Sequence, residues 1–165
     1  MTRIVVGVDG SEHSKRALLR AIEEAELRDG TVEAVYVYDP PQKSIPERLA
    51  GLPLGAGAPM GTISTDRPDH DPPNRQREAQ QIAENRLDRF VTEATEGVSG
   101  PKPRNTVIAD ENAASALIEV AEGADLLVIG TRGLGGFAGM LLGSVAHQCI
   151  QRNESPMLIL PPQDD

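Results

Sequence analysis

The sequence predicts an α/β fold: a three-layer sandwich in which a parallel sheet is covered by helices on both faces. Three observations carry this. Short runs rich in Val, Ile and Leu alternate along the chain with stretches of 3.6-residue apolar periodicity, the order expected of repeated βαβ units. Those runs are apolar at successive positions, which marks strands buried on both faces. A glycine-rich stretch from Gly130 to Ser144 joins one such run to an amphipathic segment, and a strand that feeds a helix through glycines exposes helix N-terminal amides.

The elements follow in order. Arg3-Ile-Val-Val-Gly-Val-Asp9 is a β-branched run that stops at an acid, Gly10 and Ser11, so it reads as a buried strand. Ser11 suits an N-cap and Glu12 the first helical turn, while Leu18, Ala21, Ile22 and Ala25 repeat on one helical face as far as Asp29-Gly30. Thr31–Tyr38 is the second strand, stopped by Asp39-Pro40-Pro41. From Asp39 to about Arg75 periodicity disappears, and eight of the 13 prolines fall there. This region is expected to be an irregular insertion within a single domain spanning residues 1–165. His70 between Asp69 and Asp71 lacks partners at metal-ligand spacing and reads as a polar loop residue.

Ala79, Ile82, Ala83, Leu87, Phe90, Val91 and Ala94 restore helical periodicity, closed by Gly97 and Ser99-Gly100-Pro101. Asn105–Ala109 makes a third strand, and Ala114, Leu117, Ile118 and Ala121 a helix that stops at Gly123. Asp125–Gly130 is the fourth strand. Beyond the glycine stretch, Val145, Ala146, Cys149 and Ile150 mark a last helix and Pro156–Leu160 a fifth strand. Cys149 lies on the apolar stripe and reads as core, while His13 and His147 read as helix-face residues.

Composition narrows the function. The net charge of −9 argues against general affinity for nucleic acid or anionic membrane. A single cysteine excludes an intrachain disulfide, and the absence of a long apolar run or a leader-like start makes a cytoplasmic protein the expectation. The glycine stretch then admits three phosphate-loop readings. A Walker loop fails because no lysine stands near it. Gly133-Leu-Gly135-Gly-Phe-Ala138 matches the relaxed dinucleotide pattern, yet it follows the fourth strand, and Glu154, the acid about 20 residues on, precedes a strand instead of ending one. The third reading is a pattern of Gly130, two residues, Gly133, nine residues, then Gly143-Ser144.

That pattern resembles the nucleotide-binding signature of the universal stress protein family, and Ile4-Val-Val-Gly-Val-Asp9-Gly-Ser11, Leu141-Leu-Gly-Ser-Val145 and Ser155-Pro-Met-Leu-Ile-Leu160 resemble its other conserved-pattern segments. The resemblance covers the chain outside the insertion. It implies a five-stranded parallel sheet of order 3-2-1-4-5, so that Asp9 and Gly130 meet across a cleft at adjacent strand ends. It also implies a bound adenine nucleotide, ATP or AMP/ADP, with Mg²⁺. Asp9 would contact the adenosine part, the main chain of Val37 the adenine, and Gly130, Gly133, Gly143, Ser144 and Val145 the ribose and phosphates, with Gly7, Val8, Ile129 and Arg132 counted among the nucleotide-binding residues. A homodimer through the C-terminal edge strand is implied as well, and Met157–Leu160 would otherwise be an uncovered apolar edge.

Two departures stand out. Asp110-Glu-Asn-Ala113 replaces the family's Gly-x-Pro-Ala element, placing two acids near the expected phosphate rim, and the proline-rich insertion lengthens the connection after strand two. Two further functions are weighed against nucleotide-dependent signalling. Slow ATP hydrolysis or autophosphorylation would rest on Ser144, Arg132 and Asp9 with no recognisable base. A dimeric interaction module would need no nucleotide. The motifs of nucleotidyl transferases and ATP pyrophosphatases are absent.

Overall fold

The computed structural model describes residues 1–41, 72–134 and 142–161. Most of the proline-rich insertion, His70 and the middle of the glycine stretch lie outside those residues. The elements are β1 (Arg3–Val8), α1 (Glu12–Leu27), β2 (Thr31–Tyr38), α2 (Pro72–Ala94), β3 (Arg104–Ala109), α3 (Ala113–Ala121), β4 (Leu126–Gly130), α4 (Ser144–Arg152) and β5 (Met157–Leu160). They form a five-stranded sheet of order β3-β2-β1-β4-β5, and every neighbouring pair is parallel. No helix among the described residues is long and apolar enough to cross a membrane.

Strand alternation sorts the core into two layers. Ile4, Val6, Val8, Ala34 and Val128 face α1 and α2, where Leu18, Ile22, Leu87 and Val91 cover them. Val5, Val35, Leu127 and Ile129 face the opposite way, against Ala114 and Leu117 of α3 and Ala146 and Cys149 of α4. The central strands are therefore apolar at consecutive positions because each face of the sheet has its own helical cover. Full burial of a side chain such as Leu18 or Leu127 stabilises the fold by roughly 1.5–3 kcal/mol.

Helix ends differ in instructive ways from expectation. Ser11 does cap α1, its hydroxyl accepting from Ser14 N at 3.2 Å. At the other end Asp29, not Gly30, takes the left-handed conformation, with φ of 48°. Gly30 N donates to Ala25 O at 2.8 Å and Asp29 N to Glu26 O at 3.5 Å, the paired closure of a Schellman motif. Gly30 is required for space instead: a β-carbon there would lie 2.7 Å from Thr2 O. Helix α2 starts at Pro72, about two turns before the apolar periodicity that announces it. Proline at a helix start forfeits only an N–H that has no intrahelical acceptor, so Pro72 and Pro73 open the helix where a loop was expected.

The strand pairing also prepares a cleft. The β1–β4 ladder ends at Val6↔Val128, while β1 continues to Val8 and β4 to Gly130. The chain leaves β1 for α1 on one face of the sheet and leaves β4 for α4 on the other. Adjacent strands whose connections depart to opposite faces leave a crevice beyond their carboxyl ends, where open α/β sheets bind ligands.

A cavity between the first and fourth strand ends

The crevice is a cavity of about 720 Å³, within the range of small-molecule sites. All eleven positions singled out in the sequence line it: Gly7, Val8, Asp9, Val37, Ile129, Gly130, Arg132, Gly133, Gly143, Ser144 and Val145. The sheet brings them together from segments more than a hundred residues apart. One end is apolar, walled by Val35, Val37, Leu117 and Ile129; the other carries Asp9, Thr131, Arg132 and the start of α4. Gly7 keeps the apolar end open, since a β-carbon there would come within 2.9 Å of Leu117 Cδ1 and 3.3 Å of Ile129 Cγ2.

Asp9 joins the two sides. Its Oδ1 accepts from Ser11 N at 3.0 Å and from Ser11 Oγ at 2.6 Å. Its Oδ2 accepts from Leu134 N at 2.7 Å, across 125 positions of sequence. The carboxylate thus caps the turn after β1 and also ties the glycine stretch to it. The expected meeting of Asp9 with Gly130 falls three and four residues further on, at Gly133 and Leu134.

Each glycine of the signature is fitted to a protein neighbour. A β-carbon on Gly133 would overlap Asp9 Oδ2, one on Gly130 would lie 3.3 Å from His13 Cβ, and one on Gly143 would lie 3.3 Å from Thr131 O. Gly143 N donates to that same Thr131 O at 2.6 Å, and Thr131 N donates to Leu160 O at 2.9 Å. The glycines accordingly let the chain fold close upon itself, which shapes the loop before any ligand arrives.

Helix α4 has Gly143 as its N-cap and no side chain capping it. Ser144 is therefore in the first helical turn, and its hydroxyl does not serve as the cap. The first intrahelical bond is donated by His147 N to Gly143 O at 3.0 Å, so the amides of Ser144, Val145 and Ala146 have no intrahelical acceptor. These donors, the helix dipole and the Ser144 hydroxyl make an anion-favouring surface. Thr131, which sequence reasoning passed over, also lines the cavity, and its buried hydroxyl has no hydrogen-bond partner among the described residues. Its signal was available: a hydroxyl between two signature glycines at a strand end.

The strand register bears on Val37. Tyr38 O accepts from Asp110 N on the β3 side, so alternation turns the Val37 carbonyl toward the β1 side. There the ladder has already ended at Val8↔Tyr36.

The acids of the 110–113 segment do not stand where the departure from the family pattern suggested. Asp110 Oδ1 accepts from Asn112 N at 2.7 Å, and Asn112 Oδ1 caps α3 by accepting from Ser115 N at 3.1 Å. Only Ala113 of this segment lines the cavity, while Asp110 lines a separate depression with Arg3, Glu33 and Glu119. The turn consumes the carboxylate in holding the backbone. No group of three or more His, Cys, Asp or Glu among the described residues could hold a metal ion. Among the described residues Asp9 is the one carboxylate lining the cavity, and both of its oxygens are engaged. The described residues therefore do not form a protein-held Mg²⁺ site. Cys149 is fully buried beneath α4, and burial pushes its thiol above the ordinary cysteine range.

Comparison with known proteins bears on this geometry. The model of the family described as the universal stress protein family matches residues 1–54 and 56–161. The chain is 28% identical over 160 residues to universal stress protein Rv2623 of Mycobacterium tuberculosis, covering 94% of this chain and 44% of that protein. It thus spans about half the length of the first curated relatives it matches. Among solved structures, a universal stress protein in complex with cAMP is similar at 23% identity and a TM-score of 0.61, covering 97% of this chain and 96% of that one. The universal stress protein from Archaeoglobus fulgidus in complex with dAMP is similar at 21% identity and a TM-score of 0.61, with 96% and 97% covered.

Proposed function

This chain belongs to the universal stress protein family, and from that premise we propose that it binds an adenine nucleotide in the β1–β4 cavity and acts as a nucleotide-dependent stress-response dimer in the cytoplasm. The observation that carries the reading is one cavity with an apolar end between strand tips and a polar end at an uncapped helix N-terminus. A purine is accommodated by the wall of Val35, Val37, Leu117 and Ile129, and the Val37 carbonyl is an acceptor suited to an exocyclic amine. The phosphate end falls to the amides of Ser144–Ala146, the Ser144 hydroxyl and Arg132, each charge-assisted bond contributing roughly 1.5–3 kcal/mol. That two solved proteins of this fold are described in complex with cAMP and dAMP supports the adenine assignment. The ATP, ADP or AMP expected from the sequence remains the ligand class, and a Mg²⁺ ion entering with it would be held by its phosphates.

Isothermal titration with AMP, ADP and ATP, with and without Mg²⁺, tests the proposal. Saturable binding with one site per chain is expected, and heat-silent titrations for all of them would overturn it. The dimer is proposed from the edge position of β5, whose Met157–Leu160 side chains are only half-buried. Light scattering at working concentration is expected to give twice the chain mass, and a monomer would contradict the pairing. The hydrolase alternative gains nothing from the described geometry, because Asp9 is occupied by Ser11 and Leu134 and no other acid among the described residues lines the cavity.

A further inference from the structure

We propose that Asp9 is a positioning residue for the phosphate end of the cavity, acting on a bound nucleotide through the glycine stretch instead of through the adenosine, an inference that rests on the adenine-nucleotide reading above. The chemistry of its partners carries this. Ser11 N and Leu134 N can only donate, and they reach Oδ1 and Oδ2 at 3.0 and 2.7 Å. The Ser11 hydroxyl accepts from Ser14 N at 3.2 Å, so its own proton goes to Asp9 Oδ1 at 2.6 Å. Among the described residues three donors thus converge on one side chain from two segments of the fold, and a carboxylate presents acceptors alone on both of its oxygens. An asparagine would turn an amide N–H against one of them. The acid at position 9 is therefore accounted for by protein donors, in a cavity whose proposed ligand is itself anionic and is repelled by a carboxylate.

Leu134 N is the far end of a short bracketed segment. At the near end Thr131 is fixed twice: its N donates to Leu160 O at 2.9 Å, and its O accepts from Gly143 N at 2.6 Å. Gly143 is the N-cap of α4, so Thr131 ties the end of β4 to the helix whose first-turn amides form the anion-favouring surface. Thr131, Arg132, Gly133 and Leu134 all line the cavity, and Arg132 and Gly133 sit between the Thr131 anchors and the Asp9 tie. Gly133 lets that tie close, since a β-carbon there would overlap Asp9 Oδ2. The apolar end has no such dependence, because Val35, Val37, Leu117 and Ile129 stand on β2, α3 and β4. Loosening the tie at Leu134 therefore costs order at the phosphate end and not at the base end, and that order must be restored whenever a phosphate binds.

The test is calorimetric titration of the full chain with adenosine and with AMP in metal-free buffer, on the wild type and two variants. Leu134→Pro deletes the amide donor and leaves the carboxylate and its charge in place. The leucine is 68% exposed and its φ is not positive, and Gly133 before it tolerates the restriction that proline imposes on its predecessor. Asp9→Asn keeps the shape of the side chain and removes its charge. Leu134→Pro is expected to weaken AMP binding about tenfold and adenosine binding less than about twofold. Asp9→Asn is expected to weaken AMP by a smaller factor, because loss of the carboxylate also relieves its repulsion of the phosphate, and again to spare adenosine. Equal losses for AMP and adenosine in Asp9→Asn put the carboxylate on the nucleoside and overturn the proposal. AMP affinity unchanged in Leu134→Pro, or raised in Asp9→Asn, overturns it as well. Binding of AMP but not of adenosine by the wild type overturns the division of the cavity into two ends on which it stands. Absence of binding by both ligands overturns the adenine-nucleotide reading instead.

Discussion

Replacing Gly133 by alanine adds a single methyl at the point where the glycine stretch touches Asp9. The backbone at Gly133 is not in the left-handed region, so alanine incurs no conformational strain there, and the only obstacle is the carboxylate that its β-carbon would overlap. Asp9 must then move, which breaks the 2.7 Å bond from Leu134 N and disturbs the bonds from Ser11 at 3.0 and 2.6 Å. Loss of one charge-assisted bond costs about 1.5–3 kcal/mol. Against this, removing a glycine from the unfolded chain stabilises by roughly 0.4–1 kcal/mol. The net loss is about 0.5–2.5 kcal/mol, which for a chain of this size lowers Tm by roughly 1–10 °C. The decisive measurement is denaturant unfolding of Gly133→Ala in the wild-type background and again beside Asp9→Ala. With the carboxylate gone the added methyl meets nothing, so the second substitution should be neutral or slightly stabilising. An equal cost in both backgrounds would refute the view that Asp9 is the reason for glycine at 133.

Three further outcomes are expected. Ser144→Ala leaves Tm nearly unchanged, because Gly143 and not Ser144 is the N-cap of α4, yet it weakens nucleotide binding about tenfold or more through loss of a charge-assisted bond; calorimetry beside a melting curve separates the two. Asn112→Ala removes the acceptor for Ser115 N and should cost about 1 kcal/mol in urea unfolding. Because burial raises the Cys149 thiol, the folded chain holds that proton where the unfolded chain releases it. Its contribution to stability is therefore complete below the ordinary cysteine value of roughly 8.5 and is lost as pH rises beyond it. Alkylation of Cys149 at pH 8 should be slow in native protein and fast in denaturant, and rapid native labelling would place the thiol outside the core.

By itself the sequence determined the layered α/β architecture, because a strand buried on both faces must be apolar at consecutive positions and a covering helix must repeat its apolar residues every 3.6. Ile4–Val6 and Leu126–Ile129 show the first pattern; Leu18, Ala21, Ile22 and Ala25 show the second. The glycine spacing from Gly130 to Ser144 marked the site for the same local reason, since close backbone approach leaves no room for side chains. Other features depend on what lies across the fold. The need for glycine at position 30 comes from the approach of Thr2, and Pro72 reads as a loop residue until the helix behind it is in place. Only the tertiary structure decided that the glycines pack against Asp9, His13 and Thr131, and that the buried Thr131 hydroxyl has no partner among the described residues. The contacts of Gly133 with Asp9 and of Gly130 with His13 join residues more than a hundred positions apart, so their meeting is fixed by strand order and by where the β1–β4 ladder stops.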